Sequence, residues 1–112
     1  MFKVEAIIRP EKLEAVRQGL EKVGYSGLMI SEIEGHGKQK GVVQQWRGEK
    51  YRQELIPKIK VEVVVKDSEL ERIIGKIVEM ARTGEIGDGK IFVSPVVAAV
   101  RIRTGEKGET AL

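Results

Sequence analysis

Residues 59–81 read IKVEVVVKDSELERIIGKIVEMA, and this stretch decides the fold class. Apolar and polar residues alternate over positions 59–65, which predicts a strand with one buried face. Apolar residues then recur at helical spacing over positions 70–81, which predicts an amphipathic helix. Ser68 and Glu71 have the spacing of a capping box, so the helix is expected to begin there. A strand that leads directly into such a helix indicates a sheet covered by helices on one side.

The same strand and helix pattern occurs near the start of the chain. Residues 2–9 alternate, and Pro10 follows at a position that suits the first turn of a helix, because its φ is already helical and it has no N–H to satisfy. Gly24 is expected to end that helix. Residues 27–35 and 91–93 predict two further strands.

The resulting order, β-α-β-β-α-β, predicts an α+β, ferredoxin-like fold with an antiparallel sheet and both helices on one face. All 112 residues fit one domain. The other face of the sheet carries Ile7, Met29 and Val64, which are too apolar to leave in water. We expect a subunit contact there. Residues 96–103 are expected to continue as an extended, apolar segment.

Composition excludes several classes of function. The chain has no cysteine, no asparagine and one histidine, so a thiol nucleophile, a thiolate zinc site and most histidine-based catalytic arrangements are excluded. No apolar run approaches the roughly 18 residues of a membrane span. The alternating pattern begins at the first residues, without the features of a signal peptide. A cytoplasmic location is therefore expected.

The polar segment 36–57 carries the charge excess of the whole chain. It holds five basic and two acidic residues, whereas the remaining residues balance, so the net charge of +3 resides in this segment. A connection of this length is usually functional or disordered. Trp46 and Tyr51 lie in it among charged residues, which indicates contact with a partner, or alternatively packing against the rest of the domain.

The loop at residues 84–90, GEIGDGK, is a candidate anion site. It matches the spacing of a Walker A motif, but Ile91 stands where the magnesium-binding hydroxyl belongs and the loop joins a helix to a strand, so a Walker NTPase is rejected. Its three glycines still allow backbone N–H groups to approach an anion, and Lys90 adds a positive charge. The alternative is an ordinary turn with a surface lysine.

Two further segments carry positively charged side chains that could bind an anion. Arg101 and Arg103, two apart on an expected extended segment, would lie on the same face and could hold a phosphate between them. Alternatively, both are solvated on an edge strand. Residues 35–41 combine glycines with lysines, and Lys58 follows beyond the polar segment. The alternative for residues 35–41 is a flexible, solvated loop.

Three segments together resemble the PII nitrogen regulatory signal proteins. Residues 83–93, TGEIGDGKIFV, resemble the B-loop of that family, and residues 101–106, RIRTGE, resemble its C-terminal signature. Residues 35–41 resemble the base of its large T-loop. The resemblance covers essentially the whole chain and implies a T-loop at 36–57, a B-loop at 82–90 and a C-terminal segment at 101–112.

The resemblance implies a homotrimer that binds ATP or ADP between subunits, binds Mg²⁺ and 2-oxoglutarate when ATP is present, and uses the T-loop to regulate protein targets. These targets are an ammonium transporter and enzymes or regulators of nitrogen assimilation. The nucleotide-binding residues so implied are Met29, Gly37, Lys38, Val64, Gly87, Asp88, Gly89, Lys90, Arg101, Ile102 and Arg103. Those implied for 2-oxoglutarate are Gln39, Lys40, Gly41 and Lys58, with Gln39 also on the Mg²⁺.

Some positions depart from the family pattern. Tyr51 stands where some relatives are uridylylated, but its neighbours differ from the usual motif. Glu49 replaces a serine that some relatives phosphorylate, and Met29 replaces a typical threonine. The resemblance predicts a binding and signalling protein, with no enzyme activity, no nucleic-acid partner and membrane contact only through a transporter.

Other classes of function remain as alternatives. One is a ferredoxin-like nucleic-acid-binding domain, but its sheet should carry stacked aromatic residues, and the central strands here hold Ile, Val and Glu. Another is a nucleotide-binding module that does not sense 2-oxoglutarate. A small hydrolase of the acylphosphatase type would need an asparagine, which the chain lacks.

Overall fold

The computed structural model describes residues 1–36, 44–46, 49–51 and 55–112, with side chains described for 1–35 and 56–112. In these residues the strands and helices are β1 (Phe2–Ile8), α1 (Leu13–Lys22), β2 (Met29–His36), β3 (Gln44–Trp46), β4 (Glu49–Tyr51), β5 (Leu55–Val65), α2 (Leu70–Ala81) and β6 (Lys90–Pro95). Short 3₁₀ turns span Pro10–Lys12, Asp67–Glu69 and Gly108–Ala111.

The main sheet has four antiparallel strands in the order β2-β5-β1-β6. Strands β1 and β5 lie at its centre, where Ala6 pairs with Val61 of β5 and with Ile91 of β6. Each helix connects a central strand to an edge strand. The predicted ferredoxin-like α+β fold is therefore confirmed.

Both helices pack on the same face of this sheet, because alternate residues of the central strands and one stripe of each helix form a single core. The buried residues of this core are Val4, Ala6, Ile8, Val16, Leu20, Ile59, Val61, Val63, Val65, Ile73, Ile77 and Ala81. The strand alternation and the helical spacing therefore predict the buried faces correctly.

The opposite face of the sheet, called the open face below, mixes apolar residues with paired charges. Met29 lies beside Glu62 and is 52% exposed. Lys3 forms an ion pair of 2.9 Å with Glu5 on the same strand. The subunit contact expected on this face stays a prediction.

The strands extend further into the polar segment than the sequence predicts. β2 begins two residues later than expected and continues to His36, which pairs with Leu55 at the start of β5. The two strands stay paired beyond the core because backbone hydrogen bonds need no apolar face. β3 and β4 form a separate two-stranded hairpin within the same segment.

Helix α2 begins without the predicted capping box. The 3₁₀ turn Asp67–Glu69 precedes it, and neither that turn nor α2 has a side-chain hydrogen bond at its cap. Ser68 lies inside the turn, so it does not occupy the position from which a cap is formed. At the other helix, Gly24 follows α1 with φ of 97°, which agrees with the predicted helix end.

The extended conformation predicted for residues 96–103 is wrong only from residue 101 onward, since Val100 still forms a β-bridge with Lys107. β6 ends at Pro95, and the chain then reverses: the N–H of Gly105 donates to the carbonyl of Arg101 at 2.7 Å, and the N–H of Arg101 donates to the carbonyl of Glu106 at 2.8 Å. Because this is a turn, strand alternation does not place Arg101 and Arg103 on one face. Within the described ranges, no helix has the length and apolar character needed to span a membrane.

Candidate functional site

The glycine-rich loop between α2 and β6, residues 82–90, lies against the end of β1. Gly84, Gly87 and Gly89 have φ of 89°, 102° and 102°, a region that side-chain-bearing residues rarely adopt. At Gly89 the approach is also close, since a Cβ there would stand 1.7 Å from the carbonyl oxygen of Ile7. The glycine at this position is therefore required by both conformation and space.

The carboxylate of Asp88 closes the loop on itself. It accepts hydrogen bonds from the N–H of Thr83 at 2.9 Å, from the N–H of Gly84 at 2.8 Å and from the Thr83 hydroxyl. It also accepts one from Nε of Arg9 at 3.0 Å. The hydroxyl of Thr83, followed by the two backbone N–H groups and Arg9, holds the pKa of Asp88 well below its usual range.

Two cations from the central strands reach the same loop. Nη2 of Arg9, which follows β1, donates to the carbonyl of Ile86 at 2.9 Å. Nζ of Lys58, on β5, donates to the carbonyl of Gly87. Burial, together with the nearby charge of Arg9, lowers the pKa of Lys58. The loop is therefore held at three consecutive residues.

A pocket of about 540 Å³ lies between this loop and the open face. Its lining residues are Ile7, Gly35, Ile56, Lys58, Glu85, Ile86, Gly87, Asp88, Gly89, Lys90 and Phe92. The N–H groups of Gly87, Asp88 and Gly89 donate to no other residue that the structure describes. Unpaired N–H groups beside lysine side chains favour an anion.

The structure brings some of the expected site residues together and separates others. Gly87, Asp88, Gly89, Lys90 and Lys58 all line this pocket. The other described residues of the expected nucleotide site are not part of its lining; they are Met29, Val64, Arg101, Ile102 and Arg103.

The separated residues lie on the open face and in the C-terminal turn. Met29 and Val64 both lie on the open face, closer to the other end of β1. Arg101 donates to Glu106 at 3.2 Å and to the carbonyl of Leu112 at 3.3 Å, while Ile102 is 99% exposed. A complete nucleotide site would therefore need residues from more than this pocket.

The remaining expected residues lie outside the described part of the chain. These are Gly37, Lys38, Gln39, Lys40 and Gly41, together with the side chains of Trp46 and Tyr51. Sequence reasoning also missed Arg9. The signal for it is weak, since an arginine directly before Pro10 has no local pattern that connects it to a loop 79 residues later.

The acid sensitivity of the fold is expected to depend on Asp88. Because the pKa of Asp88 is lowered on folding, its carboxylate contributes stability that is present above its unfolded pKa of about 3.9 and is lost as the pH falls toward the folded value. We expect the difference in unfolding free energy between the wild type and Asp88→Asn to be largest near neutral pH and to shrink on acidification.

Urea unfolding at a series of pH values, at one protein concentration, measures this difference. Glu109→Gln is the control, since Glu109 lies exposed in the C-terminal 3₁₀ turn. A difference for Asp88→Asn that stays constant down to about pH 2 would show that the carboxylate is not held in this way.

Residues 1–106 match the family described as nitrogen regulatory protein P-II. The chain is 53% identical over 112 residues to nitrogen regulatory protein P-II of Microchaete diplosiphon, covering 100% of both chains. It is 49% identical over 112 residues to nitrogen regulatory protein P-II 2 of Methanothermobacter thermautotrophicus, covering 100% of this chain and 97% of that one.

A solved structure gives the same result. The crystal structure of Arabidopsis thaliana PII bound to citrate is similar with a TM-score of 0.81 and 43% sequence identity, covering 99% of this chain and 91% of that chain. The chain therefore belongs to the nitrogen regulatory protein P-II family, whose members are regulatory signalling proteins that act on target proteins.

Proposed function

We propose that this protein is a cytoplasmic homotrimeric sensor that binds ATP or ADP, and binds 2-oxoglutarate when MgATP is present. Its T-loop, residues 36–57, would then engage or release an ammonium transporter or the enzymes and regulators of nitrogen assimilation. The mechanism is a shift between loop conformations that differ in their affinity for the ligands. Tyr51 is proposed as a possible modification site within that loop.

One observation supports this proposal above the others: the glycine-rich loop is held in place while its backbone N–H groups stay unpaired, an arrangement that suits phosphate groups. Its backbone is held by Arg9, Lys58 and Asp88, while three consecutive N–H groups remain available beside Lys90. Ordering a flexible loop costs free energy and reduces affinity. A loop that is already held in place avoids this cost when the ligand binds.

A second copy of the chain would complete the site. Lys90 and the loop lie at one end of β6, whereas Arg101 and Arg103 lie in the turn beyond its other end. Val97, before this turn, and Ile102, within it, are 98% and 99% exposed, and their burial would favour association. We therefore propose that the arginines of one subunit face the glycine-rich loop of another.

The proposed binding of 2-oxoglutarate is supported by the surroundings of Lys58. Lys58 lies in the pocket with only the Gly87 carbonyl as a described hydrogen-bond partner, and an ammonium group has three donors. The Arabidopsis PII structure is described as bound to citrate, which is also a carboxylate. A dicarboxylate could therefore receive the remaining Lys58 donors.

Calorimetry on the full chain tests the proposal directly. ATP and ADP are titrated with and without Mg²⁺, and 2-oxoglutarate is then titrated with and without saturating MgATP. We expect 2-oxoglutarate to bind only when MgATP is present. If nucleotide binds and 2-oxoglutarate fails to bind under every condition, the protein is instead a nucleotide-binding module without this sensing function.

Replacing Lys90 by alanine is expected to weaken ATP binding by about 1–3 kcal/mol, the range for loss of a hydrogen bond to a charged group. The side chain lies on the open face, opposite Ile7, and it lines the pocket. Lys22→Ala is the matched control, because it removes the same charge from the exposed end of α1, on the other side of the sheet. Equal ATP affinity for both variants would place the phosphates elsewhere.

A further inference from the structure

We propose that Arg9 is a positioning residue for the glycine-rich loop: through the Ile86 carbonyl it orients the backbone N–H group of Gly87, without touching the nucleotide. This inference rests on the proposed nucleotide binding at that loop. Arg9 itself lies between the end of β1 and Pro10, outside the glycine-rich segment. Its effect on the ligand would be exerted entirely through the loop.

The contacts of Arg9 give it two separate points of attachment. Nε donates to Asp88 at 3.0 Å and Nη2 donates to the carbonyl of Ile86 at 2.9 Å. The Arg9 side chain is 15% exposed and that of Asp88 is 25% exposed, so water competes only partly for these contacts. The planar guanidinium fixes the spacing between its two donors, and it therefore fixes the positions of Ile86 and Asp88 relative to each other.

This attachment determines the direction of the neighbouring N–H groups. In a trans peptide the C=O and N–H point in opposite directions, and the described chain contains no cis peptide. Since the Ile86 carbonyl points toward Arg9, the N–H of Gly87 points away from it. The Gly87 carbonyl likewise points toward Lys58, so the N–H of Asp88 points away from that lysine.

Both carbonyl oxygens are therefore occupied by cations, and neither is free to repel a phosphate. The positive φ of 102° at Gly87 joins the two peptide planes, and successive N–H groups around such a residue form an anion-binding concavity. Without Arg9, the peptide at residues 86–87 would lose the contact that sets its orientation. The carboxylate of Asp88 would then lose its counter-charge, although Thr83 and Gly84 would still hold it.

The test is MgATP affinity in variants of Arg9. We expect Arg9→Ala to weaken binding about tenfold, and Arg9→Lys to give an intermediate loss, since lysine keeps the charge but cannot make both contacts in one plane. Arg17→Ala is the matched control: Arg17 also bridges two acceptors, Glu14 and Glu21, but on the surface of α1. Affinities are measured well below the melting temperature of each variant, so that a loss of stability alone leaves them unchanged.

A double-mutant cycle with Asp88→Ala gives the second readout. Because the bond to Asp88 fixes the guanidinium that holds the Ile86 carbonyl, the double variant should bind MgATP more tightly than the product of the two single losses would give. Independent, multiplicative losses would overturn the proposal, and so would affinities of both Arg9 variants within about twofold of wild type. If Arg9→Ala does not fold, the MgATP affinity of Arg9→Lys alone tests the proposal.

These outcomes are distinct from failure of the proposed function. If the wild type binds no nucleotide, the function is wrong. If the wild type binds MgATP and Lys90→Ala weakens it while the Arg9 variants bind normally, the function stands and the positioning role of Arg9 is wrong.

Discussion

Replacing Gly89 by alanine is expected to lower the unfolding free energy by about 2–4 kcal/mol and to abolish measurable ATP binding. Backbone strain at a positive φ costs about 1–3 kcal/mol for a residue with a side chain. At Gly89 the new Cβ would also overlap the carbonyl oxygen of Ile7, at 1.7 Å. That oxygen belongs to β1, so relief requires moving the loop away from the sheet, and the loop would lose the geometry that we propose receives phosphates.

Gly84→Ala is the matched control for this prediction. Gly84 has a similar φ of 89° in the same loop, but a Cβ there would meet nothing within 4 Å. It should therefore show only the strain component, about 1 kcal/mol, and should keep most of its ATP affinity. Denaturant unfolding at fixed protein concentration and calorimetry measure the two effects. Equal losses in the two variants would mean that the close approach to Ile7 is not important.

The fold is largely predictable from the sequence because its core follows two simple periods. Alternation over residues 59–65 and helical spacing over residues 70–81 both identify side chains that the structure buries. Element boundaries are less predictable. β5 begins at Leu55 because backbone pairing with β2 continues there; Leu55 and Ile56 are both apolar, so no alternation marks the extension. Ser68 has the spacing of a cap, but a 3₁₀ turn occupies that position.

The site is predictable only in part, because its residues come from separate parts of the chain. The loop at residues 84–90 is identifiable from its glycines, and Lys58 from the family resemblance. Arg9 is not identifiable, since its role depends on a tertiary contact with Asp88. The expectation that Arg101 and Arg103 lie on one face requires an extended strand. The chain instead forms a turn before Gly105, so the expectation fails.

In the proposed mechanism Lys58 contacts both the loop that would bind ATP and the carboxylate of 2-oxoglutarate. We therefore expect substitution of Lys58 to have the largest effect on 2-oxoglutarate binding. One of its donors holds the Gly87 carbonyl, and the others are available to a carboxylate in the pocket. The group is partly buried, and this burial lowers its pKa. Removing a partly buried cation leaves the ligand carboxylate without a counter-charge, which costs more than loss of an exposed contact.

Lys58→Gln is therefore expected to weaken 2-oxoglutarate binding, measured with saturating MgATP, by about 100-fold, near the upper range for one charged hydrogen bond. ATP binding should weaken less than about tenfold, because Arg9 and Asp88 still hold the loop. Lys60→Gln is the matched control: Lys60 lies two residues further along the same face of β5, where it pairs with Glu62 at 3.4 Å. If the Lys58 variant binds 2-oxoglutarate as tightly as the Lys60 variant, the carboxylate lies elsewhere, and the two ligands are not connected through this lysine.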